Sequence, residues 1–173
     1  MIKGGLGFAT STFEGHNGEN GVPMPSRLAD KTEMQSLIKA MSSFGRGVFM
    51  LTRGSNTSVD NIQEWMKGSN RPAVVAALLH NPLSDNSTFK ILSDITEATD
   101  NGNEMWGQVS CRPLSMEFTM KSPYLFEGIK SWRPAMECSN DALYREVLAD
   151  SDFRKNLLNE IVLFFFQLCH LSN

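Results

Sequence analysis

What this chain has little of narrows its class first. Its 173 residues hold only three cysteines, Cys111, Cys138 and Cys169, an odd and widely spaced set that suits a reducing compartment better than a disulfide framework. No C-x-x-C pair occurs, and His16, His80 and His170 stand at no ligand spacing to the cysteines, so neither a metal nor any other cofactor is expected. Apolar runs such as Ile161–Phe166 fall far short of the roughly 20 residues needed to span a bilayer as a helix. The opening "MIKGGLGFATSTFEGHNGENG" lacks the charged head and apolar stretch of a secretory signal. The expectation is a protein that is neither secreted nor transmembrane.

Signatures of catalysis are missing too. There is no G-x-S-x-G, no phosphate-cradling G-x-x-x-x-G-K-[ST], no H-E-x-x-H and no G-x-G-x-x-G opening a helix after a strand. His16 with Glu14 and Glu19, or Cys111 or Cys138 with His80, are the only groupings that suggest acid-base or thiol chemistry. The first sits in a glycine-rich stretch where preorganisation is hardest, and a free cysteine is usually a small buried hydrophobe. A non-enzymatic protein is the expectation.

What is present fits a globular chain, with 41% hydrophobic and 20% charged residues. The net charge of -3 is uneven: residues 1–72 carry +2 and residues 73–173 carry -5. Lys3, Arg46, Arg53, Lys67 and Arg71 are therefore the candidates for meeting an anionic partner, far short of the basic face of a dedicated nucleic-acid binder.

Residues 1–27 show no period of 2 or 3.6 and read as a flexible arm; residues 28–173 read as one domain. Within the arm, Val22, Pro23, Met24 and Pro25 favour an extended polyproline-like conformation, suited to docking on a neighbour. Asp30-x-x-Glu33 starts a helix carrying Met34, Leu37, Ile38 and Met41 on one face. Val48–Arg53 reads as a strand, and Thr57-x-x-Asp60 caps a helix with Val59, Ile62, Trp65 and Met66. Ala73–His80 reads as a strand buried on both faces.

Phe89, Ile91 and Ile95 then alternate with polar residues, Asp100-Asn101-Gly102 has hairpin chemistry, and "MWGQVSC" and "LSMEFTMK" follow. These predict three antiparallel strands in succession. Caps at 139–141 and 150–152 begin two last helices, the second bearing Phe153, Leu157, Ile161, Phe164 and Leu168, with Phe165 on a neighbouring stripe. The fold class expected is α+β: an antiparallel sheet packed against helices.

The succession "GVFMLTRGSN", "SVDNIQEWM", "KGSNRPAVVAALLH", "PLSMEFTMK" and "SDFRKNLLNEIVLF" resembles the matrix domain of rhabdoviruses, in the shorter form of plant-infecting members, over residues 46–166. The resemblance implies a non-enzymatic structural protein of the virion and host cytoplasm or inner membrane face. Such a protein self-associates as a homo-oligomer and joins viral nucleoprotein or ribonucleoprotein to a membrane by peripheral contact. The N-terminal basic arm and "PPxY" motif of better-known members are missing, which puts direct lipid attachment through them in doubt. Self-association candidates on this reading are Val22 to Pro25, the loop residue Leu83, and Phe164 and Phe165. The alternative is a regulator that binds single-stranded nucleic acid directly through Arg46, Phe49, Arg53, Lys67 and Arg71.

Overall fold

The computed structural model describes residues 4–18, 21–79, 86–112, 115, 117–120, 123–124 and 126–170, the last helix with side chains to Leu163. The chain forms two compact units, Met1–Glu14 with Pro25–Leu114, and Gly15–Met24 with Ser115–Asn173. Strand β1 (Gly7–Ser11) falls within the stretch expected to be an arm.

The first unit alternates strand and helix: β1, α1 (Lys31–Ser42), β2 (Val48–Thr52), α2 (Val59–Met66), β3 (Ala73–Leu78), α3 (Ser87–Asp100) and β4 (Met105–Val109). Its four strands lie in the order β1-β2-β3-β4, and every neighbouring pair is parallel. The antiparallel sheet expected from the sequence is therefore replaced by a parallel one, and the class is α/β. The reason is in the connections: parallel neighbours need a crossover, and a helix fills each of the three gaps.

Residues 87–100 account for most of the difference. Thr88, Ile95 and Ala98 are buried while Phe89 is 63% exposed, so the buried positions follow a helical period and the apparent alternation does not. Asp100-Asn101-Gly102 ends that helix instead of turning a hairpin. Gly102 takes φ +89°, its N–H donates to Thr99 O and the Asn103 N–H donates to Ala98 O, which is a Schellman cap. The described residues of "LSMEFTMK" belong to no strand of this sheet.

Other starts and stops follow local chemistry. Asp30 caps α1 by accepting the Glu33 N–H at 2.8 Å. Ser58 caps α2 in a reciprocal box with Asn61, one residue later than the cap expected at Thr57. Met34, Ile38 and Met41 of α1, Val59, Ile62 and Met66 of α2, and Ile95 and Ala98 of α3 share one core with Phe49, Leu51, Val75 and Met105 of the sheet. All three helices thus cover the same face. Right-handed crossovers that advance one strand at a time in one direction require this. The register of β3 on β4 shifts between Val75 and Leu78, and the Ala76–Ala77 peptide is cis.

The second unit is small and built on Trp132, which lies 5.0 Å from Phe126 and 5.7 Å from Phe153 between ring centroids. Around it stand α4 (Arg133–Met136), α5 (Asp141–Ala149) and α6 (Ser151–His170). Asn140 caps α5 through the Ala142 and Leu143 N–H groups, and Asp150 accepts the Phe153 N–H at 2.6 Å to start α6. Among the described residues no helix is long and apolar enough to cross a membrane.

Candidate functional site at the carboxyl ends of the strands

Open parallel sheets and barrels place their ligands beyond the carboxyl ends of the strands, because the loops there are free to vary while the scaffold stays rigid. In the first unit that edge holds Thr12–Glu14 after β1 and Arg53–Thr57 after β2. The Thr12 N–H extends the ladder by donating to Thr52 O at 3.0 Å. Its hydroxyl oxygen accepts the Gly54 N–H at 3.0 Å and the Thr57 hydroxyl at 2.8 Å. Glu14 Oε1 accepts the Ser55 N–H at 2.9 Å and the Ser55 hydroxyl at 2.6 Å. A side chain at position 54 would meet Thr12 O at 2.2 Å, so the approach of these two loops depends on Gly54.

Arg53 stands at the centre of this edge. Its N–H donates to Ala76 O at 3.2 Å, tying β2 to β3, and its Nη1 donates to Thr57 O at 2.7 Å. Burial pushes the guanidinium pKa below its ordinary value, against the pull of Glu14 and Asp94. It stays charged all the same. Nη1 also reaches Gly54 O at 3.4 Å, and among the described residues no bond engages Nε or Nη2. The edge therefore offers a partly desolvated guanidinium with unused donors, in the field of two carboxylates, Glu14, which accepts from Ser55, and Asp94, which pairs with Lys90.

The remaining cationic candidates are elsewhere. Arg46 is exposed just before β2, and Lys67 and Arg71 precede β3, so all three lie at the amino ends of the strands, across the sheet from Arg53. Arg71 Nη1 donates to Gly45 O. Lys67 and Arg71 line a cleft of about 690 Å³ that they share with Asp60, Glu64 and Glu104, a mixed lining with no net cationic character. Lys3 and Leu83 lie outside the described residues.

Val22 is 57% exposed, Pro23, Met24 and Pro25 are exposed, and Pro25 opens a single 3-10 turn. Phe164 and Phe165 lie in α6, but their side chains are outside what is described. Glu19 and His80, which belong to the groupings with His16 and Glu14 and with Cys111 or Cys138, also lie outside the described residues; Cys111 is exposed, and the Cys138 thiol donates to Pro134 O at 3.2 Å. The second unit holds a separate cleft of about 580 Å³ lined by Trp132, Met136, Cys138 and Tyr144. There burial, with Cys138 nearby, pushes the Tyr144 hydroxyl up, and that hydroxyl donates to Met120 O.

The chain matches no protein-family model, no curated protein and no solved structure. Its site must then be read from geometry. Thr12 and Ser55 were not singled out from the sequence, and Thr57 only as a helix cap; they meet through the parallel pairing of β1 with β2.

Proposed function

We propose that this chain binds a small, anionic metabolite at the carboxyl edge of its parallel sheet, in the position where α/β enzymes act on their substrates. The observation that carries the reading is Arg53: a partly buried guanidinium at that edge, held by Thr57 through one nitrogen and with donors left over. Such a fork recognises a carboxylate or phosphate through paired charge-assisted bonds. Thr12 and Glu14 tie its loop to the end of β1 through Gly54 and Ser55.

A matrix-like assembly role would have drawn support from an antiparallel sheet with an arm laid on a neighbour; a parallel βα sheet favours a ligand site instead. A single-strand-binding role needs a continuous basic track. Arg53 is separated from Arg46, Lys67 and Arg71 by the length of the strands.

The test is a thermal-shift and calorimetric screen of inorganic phosphate, sugar phosphates and small mono- and dicarboxylates. At least one class should stabilise the wild-type chain. Arg53→Gln should weaken that binding by about tenfold or more, the loss of one charge-assisted bond, while Arg71→Gln leaves it unchanged. Stabilisation by none of these probes, or dependence on Arg71 in place of Arg53, would sink the reading.

A further inference from the structure

The carboxyl edge of the sheet holds two half-buried side chains of opposite charge, Arg53 and Glu14, that do not pair with each other. The register of Ser11 with Thr52 places Thr12 beside Arg53, and Glu14 follows Thr12 by two residues. One loop, residues 53–57, engages both charges. Arg53 spends Nη1 on Thr57 O and, at longer range, on Gly54 O, while Glu14 takes the N–H and the hydroxyl of Ser55. Among the described residues neither Arg53 nor Glu14 forms an ion pair, although each lies in the field of the other.

Unlike charges on a partly desolvated edge attract more strongly than in water, and two long side chains ordinarily close on each other there. Here neutral partners hold them apart. Gly54 and Thr57 are buried and both bond to the Thr12 hydroxyl, so the loop is fixed independently of either charge. Glu14 is the carboxylate left unmatched, because Asp94, the other one in the field of Arg53, pairs with Lys90 at 2.9 Å. Glu14 Oε1 takes the Ser55 hydroxyl at 2.6 Å, and Oε2 has only a longer contact of 3.2 Å from the Ser55 N–H. A ligand with negative charge alone gains at Arg53 and loses at Glu14. One that carries a positive group beside its carboxylate gains at both.

We infer that the ligand of this edge is an amino acid, its carboxylate on the open Nε and Nη2 donors of Arg53 and its ammonium against Glu14 Oε2. This rests on the reading of Arg53 as an anion site and adds the cationic group that the site selects. The ammonium and carboxylate of an α-amino acid sit on one carbon, so such a ligand bridges two opposite charges that the loop keeps from meeting.

The test compares ligand pairs that differ only in the ammonium group: glycine with acetate, alanine with propionate, phenylalanine with 3-phenylpropionate, and glutamate with glutarate. Each is titrated calorimetrically into the full chain, alongside inorganic phosphate. In at least one pair the amino acid should bind about tenfold or more tightly than its partner, the worth of one charge-assisted bond. N-acetylation of that amino acid, which removes the positive charge, should abolish the advantage. Glu14→Gln, which keeps an amide oxygen for Ser55, should bring both members of the pair to equal affinity, whereas Arg53→Gln should weaken both. The changes made to the ligand decide the matter even where Glu14→Gln fails to fold. Deaminated partners or phosphate that bind as tightly as the amino acids overturn the inference and leave Arg53 as a plain anion site. A preference for the amino acid that survives N-acetylation, or that survives Glu14→Gln in a folded protein, overturns it too. Binding by none of these probes removes the anion site and the amino-acid ligand together.

Discussion

Besides the helix caps Asp30 and Asp150, two carboxylates among the described residues act through the backbone groups they satisfy. Glu14 receives the N–H and hydroxyl of Ser55 and so fixes the loop that carries Arg53. Glu14→Ala leaves those partly buried donors without an acceptor, at a cost of about 2 kcal/mol. Urea unfolding followed in the first unit should register that loss, and a change within experimental error would show that the loop does not depend on it. Glu160 plays the corresponding part in the second unit, accepting the Lys130 N–H at 2.9 Å and the Ser131 N–H at 2.8 Å. Burial raises its pKa, but the hydrogen bonds from Ser131 and Lys130 and the Lys130 charge outweigh that effect, and the folded value is lowered. A folded pKa below the unfolded one means that the stabilisation is complete above the unfolded value, about 4.3 for glutamate. It is lost as pH falls through the folded value. The unfolding midpoint of the second unit should drop through this acidic window in the wild type, and drop less steeply in Glu160→Gln. Parallel pH profiles for the two proteins would exclude the role.

At the scale of the element, the end of α3 is the most exposed to a single substitution. Gly102 sits at φ +89° with nothing within 4 Å of where a side chain would begin, so any effect there is conformational and not steric. Gly102→Ala should cost about 1 kcal/mol, and Gly102→Asn less, since asparagine tolerates the left-handed region better. Denaturant melts of the two variants test this; equal losses would point to a contact in place of the backbone. The same segment shows why part of the fold was legible and part was not. The starts of α1 at Asp30, α5 at Asn140 and α6 at Asp150 are written in side chains that reach their own backbone, as are the strands Val48–Thr52 and Ala73–Leu78 in their apolar runs. Residues 87–100 place Thr88 and Ala98 in the core and leave Phe89 outside, so counting large apolar residues misreads the period. Asp100-Asn101-Gly102 supplies a positive φ, which serves a hairpin and a helix end equally. Once α3 is taken for a strand, the connections shorten and the sheet must be antiparallel. Arg53 stood out from its charge alone, whereas Thr12 and Ser55 join it only through a parallel β1–β2 pair that no local pattern announces.

At the scale of the whole molecule, burial is divided between two cores that share no residue. One gathers Ile38, Phe49, Leu51, Ile62 and Val75; the other gathers Trp132, Ala135 and Phe153. Each belongs to one of the two compact units, and the chain passes between those units more than once, since Gly15–Met24 belongs with the C-terminal residues. Cooperativity follows shared burial, so a chain with two separate cores should melt in two steps. Ile62, fully buried in the first core, and Trp132, 1% exposed in the second, are the residues with which to separate them. Ile62→Ala should lose about 2–5 kcal/mol and Trp132→Ala about 3–5 kcal/mol, each from the transition of its own unit. Calorimetry should then show Ile62→Ala lowering one transition and Trp132→Ala the other. A single transition displaced by either substitution would mean that the two cores unfold as one, and that the stability of each is set by the other as well as by its own packing.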